Sequence, residues 1–271
     1  VITVAACQLA PVVGERAGNR ASAAAAVRDA AAIGASVVVL PELADSGYVF
    51  AERAEARGLA EPADDSGTLR DWVELAASLD MVIVGGWCEL GAGGLLHNSA
   101  AVVDRDGIRA TYRKAHLWDR EKLVFVAGDD PPPVVNTPVG RIAVCICYDL
   151  EFPEWPAMAA RAGAELIAAP VNWPLLPRPA SERPAEVIKA QAAAAGNGVF
   201  VAVADRCGVE RGVSWIGGTT IIGPDGYPLA GPVLADRVTT IVAEVDLSRA
   251  RDKRINDNNH LFTDRRPELY R

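Results

Sequence analysis

Short runs of β-branched and small apolar residues alternate along the chain with longer Ala-rich stretches of helical period, the pattern of an α/β protein. The runs predict strands at 2–8, 36–40, 81–86, 99–103 and 108–112. The Ala-rich stretches predict helices at 19–32 and 68–79, the second capped by Ser66. Asp106-Gly107 predicts the hairpin turn that leads into 108–112. The second half repeats the grammar, with strands at 141–146, 166–169 and 200–204, helices at 156–162 and 186–195, and a hairpin turn at Asp225-Gly226. Individual residues repeat as well. Gly34-Ala35-Ser36-Val37-Val38-Val39-Leu40-Pro41 matches Gly163-Ala164-Glu165-Leu166-Ile167-Ala168-Ala169-Pro170 at a constant separation of 129 residues, Gly34 to Gly163.

Residues 37–40 and 142–146 are continuously apolar where a half-exposed strand would alternate, so both faces of their sheets are covered. The expectation is two sheets packed face to face with helices outside, each half of the chain supplying one sheet. No Pro/Gly/Ser-rich linker separates the halves, which reads as a single domain over 1–271. Within it, the polar segment 249–271 is expected to form a surface arm or a partner contact.

Composition narrows the function. A hydrophobic content of 50% with 23% charged residues supplies an ample core for a chain of 271 residues. The net charge of −8, with no Lys/Arg stripe beyond the mixed-sign stretch 249–266, argues against a nucleic-acid partner. Five cysteines without framework spacing argue against a secreted disulfide scaffold and point to a reducing, cytoplasmic setting. The apolar start at 1–7 has no basic segment before it and reads as a buried strand, and no apolar run approaches the ~18 residues of a membrane helix.

Three segments end in residues that one reaction needs. Glu42 follows the apolar run 37–40, Lys114 ends the hairpin strand 108–113, and Cys147 closes the strand 141–146 ahead of a helix at Phe152-Pro153-Glu154. A carboxylate can take a proton, an ammonium can hold an oxyanion and a thiol can attack a carbonyl carbon. Cys147 at a strand-to-helix elbow is expected to gain thiolate character from free backbone N–H groups and the helix's positive end. Each residue also has a plain reading: a buried cysteine packs as a small hydrophobe, and surface Glu and Lys pair with each other. The combination, in this order, favours chemistry.

Pro41-Glu42-Leu43, Arg113-Lys114-Ala115-His116-Leu117 and Cys147-Tyr148-Asp149-Leu150-Glu151-Phe152-Pro153-Glu154 resemble the three motifs of the nitrilase superfamily of carbon-nitrogen hydrolases, and the likeness spans nearly the whole chain. The tail at 264–270 is similar to a common ending of that family. The resemblance implies an α-β-β-α sandwich with an internal pseudo-two-fold, associating as a homodimer or higher homo-oligomer. It implies Cys147 as nucleophile and Glu42 as general base. Lys114, with a backbone N–H near Tyr148, is the implied oxyanion partner. It also implies Glu121 as a second glutamate that orients Lys114 or substrate, for which an ion pair with Arg120 or Lys122 is the rival role. Asn172 and Trp173, at the sheet edge that corresponds to Glu42 in the repeat, are expected to border the substrate beside Tyr148. No metal or cofactor is implied. One departure stands out: Ala193-Ala194-Ala195-Gly196-Asn197 replaces the family's frequent Arg-Ala-x-Glu-Asn and lacks its charged pair.

Cys147-Tyr148-Asp149 is similar to the amidase and carbamoylase branches, whereas nitrilases usually carry Trp or Gly and then Glu after the nucleophile. The implied activity is hydrolysis of a small aliphatic amide, with Trp118, Trp155 and Trp173 suggesting a confined apolar pocket. N-carbamoyl compounds and nitriles are the alternative substrates, and a non-catalytic scaffold of the same fold is the alternative class. Scattered histidines at 97, 116 and 260 disfavour a zinc hydrolase. Gly212-Val213-Ser214-Trp215-Ile216-Gly217 places its second glycine one residue late for a serine hydrolase, and a C-x-x-C redox motif is absent.

Overall fold

In chain order the strands are β1 (Ile2–Gln8), β2 (Val37–Val39), β3 (Val82–Leu90), β4 (Leu96–Asp104), β5 (Gly107–Arg113), β6 (Val134–Thr137), β7 (Gly140–Val144), β8 (Leu166–Pro170), β9 (Phe200–Ala204), β10 (Val209–Glu210), β11 (Val213–Ser214), β12 (Thr220–Ile222), β13 (Pro228–Ala230) and β14 (Thr239–Val245). The helices are α1 (Arg16–Ala32), α2 (Arg53–Leu59), α3 (Gly67–Leu79), α4 (Glu121–Val124), α5 (Glu154–Arg161) and α6 (Ala185–Asn197). These elements come from a computed structural model that describes residues 1–270.

Twelve of the strands form two six-stranded sheets, ordered β14-β1-β2-β3-β4-β5 and β13-β12-β9-β8-β7-β6, while β10 and β11 make a separate ribbon. In the first sheet β1, β2 and β3 run parallel, flanked by antiparallel β14 on one side and β4 and β5 on the other. In the second, β7, β8 and β9 run parallel, flanked by antiparallel β6 and by β12 and β13. The two sheets share one plan, and β2 and β8 are the pair that the repeated sequence identifies.

Burial explains the continuous apolar runs. Val4, Ala6, Val37, Val39, Val82 and Val84 belong to the core that also holds both faces of the second sheet, Ile142 and Val144 on one and Ile167 and Val201 on the other. Their neighbours Ala5, Cys7, Val38 and Ile83 point the other way, against Ala23, Val27 and Ala30 of α1 and Leu69, Trp72 and Leu75 of α3. Each strand therefore buries both sides, and the order of layers is helix, sheet, sheet, helix.

The structure corrects several expectations. The halves do not each supply one sheet, because β14 crosses back and pairs with β1 from Ile2↔Val245 to Gln8↔Thr239. The strand expected at 81–86 continues to Leu90. Gly85 and Gly86 lie within it without breaking it, since a Cβ at Gly85 would stand 2.6 Å from the Trp72 ring and one at Gly86 2.6 Å from Leu43 N. Helix α1 starts at Arg16 instead of 19, with Asn19 inside its first turns exchanging hydrogen bonds with the Val12 backbone. Ser66 caps α3 as expected, its Oγ accepting from Leu69 N.

The polar segment from 249 is tied to the body. Lys253 is buried and donates to the carbonyls of Asn197 and Gly198, closing the C-terminus of α6 at the segment that departs from the family pattern. Phe262 packs on the core, and most of the remaining side chains are exposed. Among the described residues no helix is long and apolar enough to cross a membrane.

Candidate active site

The strand ends meet in one buried cluster. Glu42 lies beyond β2 in a turn fixed by Gly86 N donating to Pro41 O and Ala44 N donating to Gly86 O. Leu43 in that turn has φ +48°, a left-handed conformation that turns the chain sharply after Glu42. Gly86 makes this approach possible, since any Cβ there would stand 2.7 Å from Glu42 Cα. Lys114 follows β5 and is anchored by its N–H to Asn98 O at 2.8 Å.

Lys114 Nζ donates to Glu42 Oε1 and to Glu121 Oε1, each at 2.7 Å. The ammonium has three protons, so one donor remains for a further acceptor. Glu42 Oε1 also accepts from Asn98 Nδ2 at 2.7 Å, while Glu42 Oε2 is buried and has no hydrogen-bond partner. Glu121 accepts from Tyr48 Oη at 2.5 Å and from Trp118 N at 3.2 Å. It therefore pairs with Lys114 and not with Arg120 or Lys122. Tyr48 is held in turn by Glu210 on β10, whose Oε2 accepts from the N–H groups of Tyr48 and Val49.

Cys147 is the first residue of a 3-10 turn, Cys147–Glu151, with φ +47°. A non-glycine residue in that region costs roughly 1–2 kcal/mol, and the surrounding bonds sustain it. Asp149 supplies most of them, accepting from Ile146 N at 2.9 Å, Tyr112 Oη at 2.8 Å and His116 N at 3.1 Å, with His116 Nδ1 at 2.7 Å. A single buried carboxylate thereby joins the segment that carries Cys147 to the segment that carries Lys114. The Cys147 Sγ faces Asn172 O at 3.8 Å, and Asn172 Nδ2 donates to Glu42 O at 2.9 Å. The fourth wall is Trp173, nearly fully buried and fixed by its N–H to Asp205 Oδ1.

The elbow differs from the expected one. Helix α5 begins at Glu154, where Phe152-Pro153-Glu154 announces it, but a 3-10 turn over Cys147–Glu151 lies between it and the sulfur. Burial and then the Glu42 carboxylate push the Cys147 thiol well above its ordinary value of 9.0, so it rests protonated. Burial pushes Glu42 from 4.5 up to about 7, against the pull of Lys114. Burial would lower Lys114, but Glu121 and Glu42 outweigh it and hold the ammonium charged. Burial first, and then the neighbouring Glu121 charge, outweigh the single ammonium and make a neutral Glu42 accessible near pH 7. The cluster thus pairs a protonated sulfur with a proton acceptor poised at neutrality, beside a fixed cation that has a spare donor.

Space around the sulfur is tight. A cavity of about 10 Å³ is bordered by Cys147, Tyr148, Trp118, Trp173, Pro174, Glu151 and Glu186. A larger cavity of about 250 Å³ shares Trp118 and Pro174 with it and is also lined by Tyr48, Phe50, Glu121, Phe125 and Trp215. Of the tryptophans expected at the pocket, Trp155 lies elsewhere, donating to Tyr112 Oη and meeting His116 edge-on. Trp215 was not anticipated; the Arg206 guanidinium lies 4.6 Å from its ring centroid. Asn98, Tyr48 and Asp149 are the other unexpected participants. A polar Asn98 entering the otherwise apolar 100–103 strand was the one available signal. Among the described residues no group of three or more His, Cys, Asp or Glu is arranged to hold a metal ion.

The sequence model of the carbon-nitrogen hydrolase family matches residues 3–255. The chain is 37% identical over 272 residues to a protein of Pyrococcus abyssi described as a nitrilase, covering 100% of this chain and 99% of that one. Its fold superposes on an amidase from Nesterenkonia sp. AN1 with a TM-score of 0.84 at 26% identity, covering 100% and 98% of the two chains. A mutant of that amidase, at a TM-score of 0.83, 25% identity and the same coverage, shows Michael addition of acrylamide at its active-site cysteine. This chain belongs to the carbon-nitrogen hydrolase family, the nitrilase superfamily, and is an enzyme that cleaves carbon-nitrogen bonds outside peptides.

Proposed function

We propose that the enzyme hydrolyses a small aliphatic amide to its carboxylic acid and ammonia through a thioester on Cys147. The observation that carries this reading is the Lys114 ammonium bonded to both Glu42 and Glu121 in the buried cluster that also holds the Cys147 thiol. Glu42, with Oε2 unpartnered, takes the thiol proton as sulfur attacks the amide carbon. Lys114 turns its third N–H to the oxyanion, and Glu121 keeps the ammonium in place. The proton on Glu42 passes to the leaving nitrogen, ammonia departs, and water activated by Glu42 cleaves the thioester. Tyr148 and the Asn172–Trp173 turn border the reacting carbon. No step calls for a metal or cofactor.

The five unpaired, buried cysteines support a cytoplasmic setting, in which they stay reduced. Assembly as a homodimer is part of the same reading and rests on the family resemblance. A second substrate reading, nitrile hydrolysis at the same site, is favoured by the Pyrococcus abyssi relative.

Ammonia and carbon dioxide release over a panel of propionamide, an N-carbamoyl amine and propionitrile tests the assignment. Ammonia from the amide alone is expected. Carbon dioxide from the carbamoyl compound, or preferred turnover of the nitrile, reassigns the substrate. Cys147→Ala is expected to abolish turnover while remaining folded, and retained activity overturns the mechanism.

A further inference from the structure

We infer that the 250 Å³ cavity beside Glu121 receives the substrate's acyl side chain, and that this enzyme prefers amides with an extended apolar chain or phenyl group over both the smallest amides and anionic ones. The inference rests on the amidase reading and specifies its substrate.

The cavity adjoins the chemistry on two counts. Its wall includes Glu121, whose Oε1 accepts a hydrogen bond from Lys114 Nζ at 2.7 Å. Its Trp118 and Pro174 also border the tight space at Cys147, so a chain leaving the reacting carbon passes between them. The space at the sulfur, about 10 Å³, has room for little more than one water-sized group. Anything longer must extend into the larger cavity.

Apart from Asp119, Arg120 and Glu121, the walls there are apolar, and they are stiff. Tyr48 meets Trp215 edge-on with centroids 5.3 Å apart, and Phe50 meets Phe125 at 5.8 Å. Arg206 stacks on Trp215 and is itself held by Glu210 at 2.9 Å and by Pro11 O at 2.6 Å. Glu210 also fixes Tyr48 N and Val49 N, so one carboxylate braces both members of the Tyr48–Trp215 pair. Such a cavity is preformed, and filling it costs little reorganisation. Charge points the same way. Lys114 is already committed to two carboxylates, and Arg120 at the lining is exposed to water. A substrate carboxylate would meet Glu121 without a free buried cation and would lose its hydration.

The test compares kcat/KM for propionamide, hexanamide, 3-phenylpropionamide and succinamate by ammonia release. Each methylene withdrawn from water is worth about fourfold, so three of them in hexanamide reach about 60-fold if all are buried. We expect hexanamide and 3-phenylpropionamide to exceed propionamide by at least about tenfold, and succinamate to fall below it. Val213→Trp, which fills the cavity from β11, should lower the hexanamide-to-propionamide ratio by at least about tenfold, from the same methylene value. A flat series, a preference for succinamate, or an unchanged ratio in Val213→Trp overturns the inference. Protection of Cys147 from iodoacetamide separates this failure from failure of the amidase reading. If no amide is turned over yet hexanamide protects at tenfold lower concentration than propionamide, the cavity assignment stands and the reaction is reassigned. Equal protection sinks the assignment.

Discussion

Replacing Asp149 with alanine removes the acceptor that joins the Cys147 turn to the end of β5. Four contacts are lost, to Ile146 N, Tyr112 Oη, His116 N and His116 Nδ1. His116 is partly exposed and regains water, so its share is small. Ile146 N and Tyr112 Oη are buried, and each donor left without its carboxylate costs about 1–3 kcal/mol. Removing a buried charge offsets part of this, which gives an expected loss of about 2–4 kcal/mol from a total that is typically 5–15. Asp149→Asn keeps one acceptor oxygen and should lose about half as much. Catalysis should fall further than stability suggests, because displacing the sulfur by about 1 Å can cost about 100-fold in rate. Urea denaturation with an unchanged slope reads the stability, and ammonia release by the folded Asp149→Asn protein reads the rate. If Asp149→Ala unfolds within 1 kcal/mol of the parent, as an order-of-magnitude threshold, and Asp149→Asn keeps full kcat, this carboxylate does not hold the site together.

Glu42, raised from 4.5 to about 7, accepts the thiol proton only when ionised, so kcat/KM should rise as pH increases through about 7 and fall about tenfold per unit below it. A profile flat from pH 5 to 8, on the order of the window that this shift spans, would falsify the assignment of Glu42 as base. Gly86→Ala would place a Cβ 2.6 Å from Leu43 N and 2.7 Å from Glu42 Cα, so the Glu42 turn must move. The expected result is a stability loss of about 1–3 kcal/mol and a rate loss of about 100-fold or more, measured by thermal melting and ammonia release. Wild-type kcat in that variant contradicts the close approach of Gly86 to the Glu42 turn.

The layered architecture was legible because burial on both faces leaves a mark on sequence: Val37 to Leu40 and Ile142 to Ile146 are apolar without alternation, and the repeat at Gly34 and Gly163 lies on equivalent strands β2 and β8. Glu42, Lys114 and Cys147 were legible because each stands where a strand stops, apolar for Glu42 and Cys147 and a hairpin strand for Lys114. The supporting residues left weaker marks. Tyr48 and Glu210 are 162 positions apart, and only tertiary folding brings them together. The sulfur's environment was misread because Phe152-Pro153-Glu154 announced a helix near enough to act on Cys147. Instead the 3-10 turn intervenes, and burial raises the thiol's proton affinity. The destination of β14 was also hidden, since an amphipathic strand does not state which edge it will join.

That destination has a consequence for synthesis. The ribosome releases Ile2–Gln8 long before Thr239–Val245, and until the later segment emerges the early one presents a row of unsatisfied amides along an apolar ribbon. The nascent chain therefore carries a sticky seam over the more than 200 residues that separate the two strands, sealed only when Thr239–Val245 arrives.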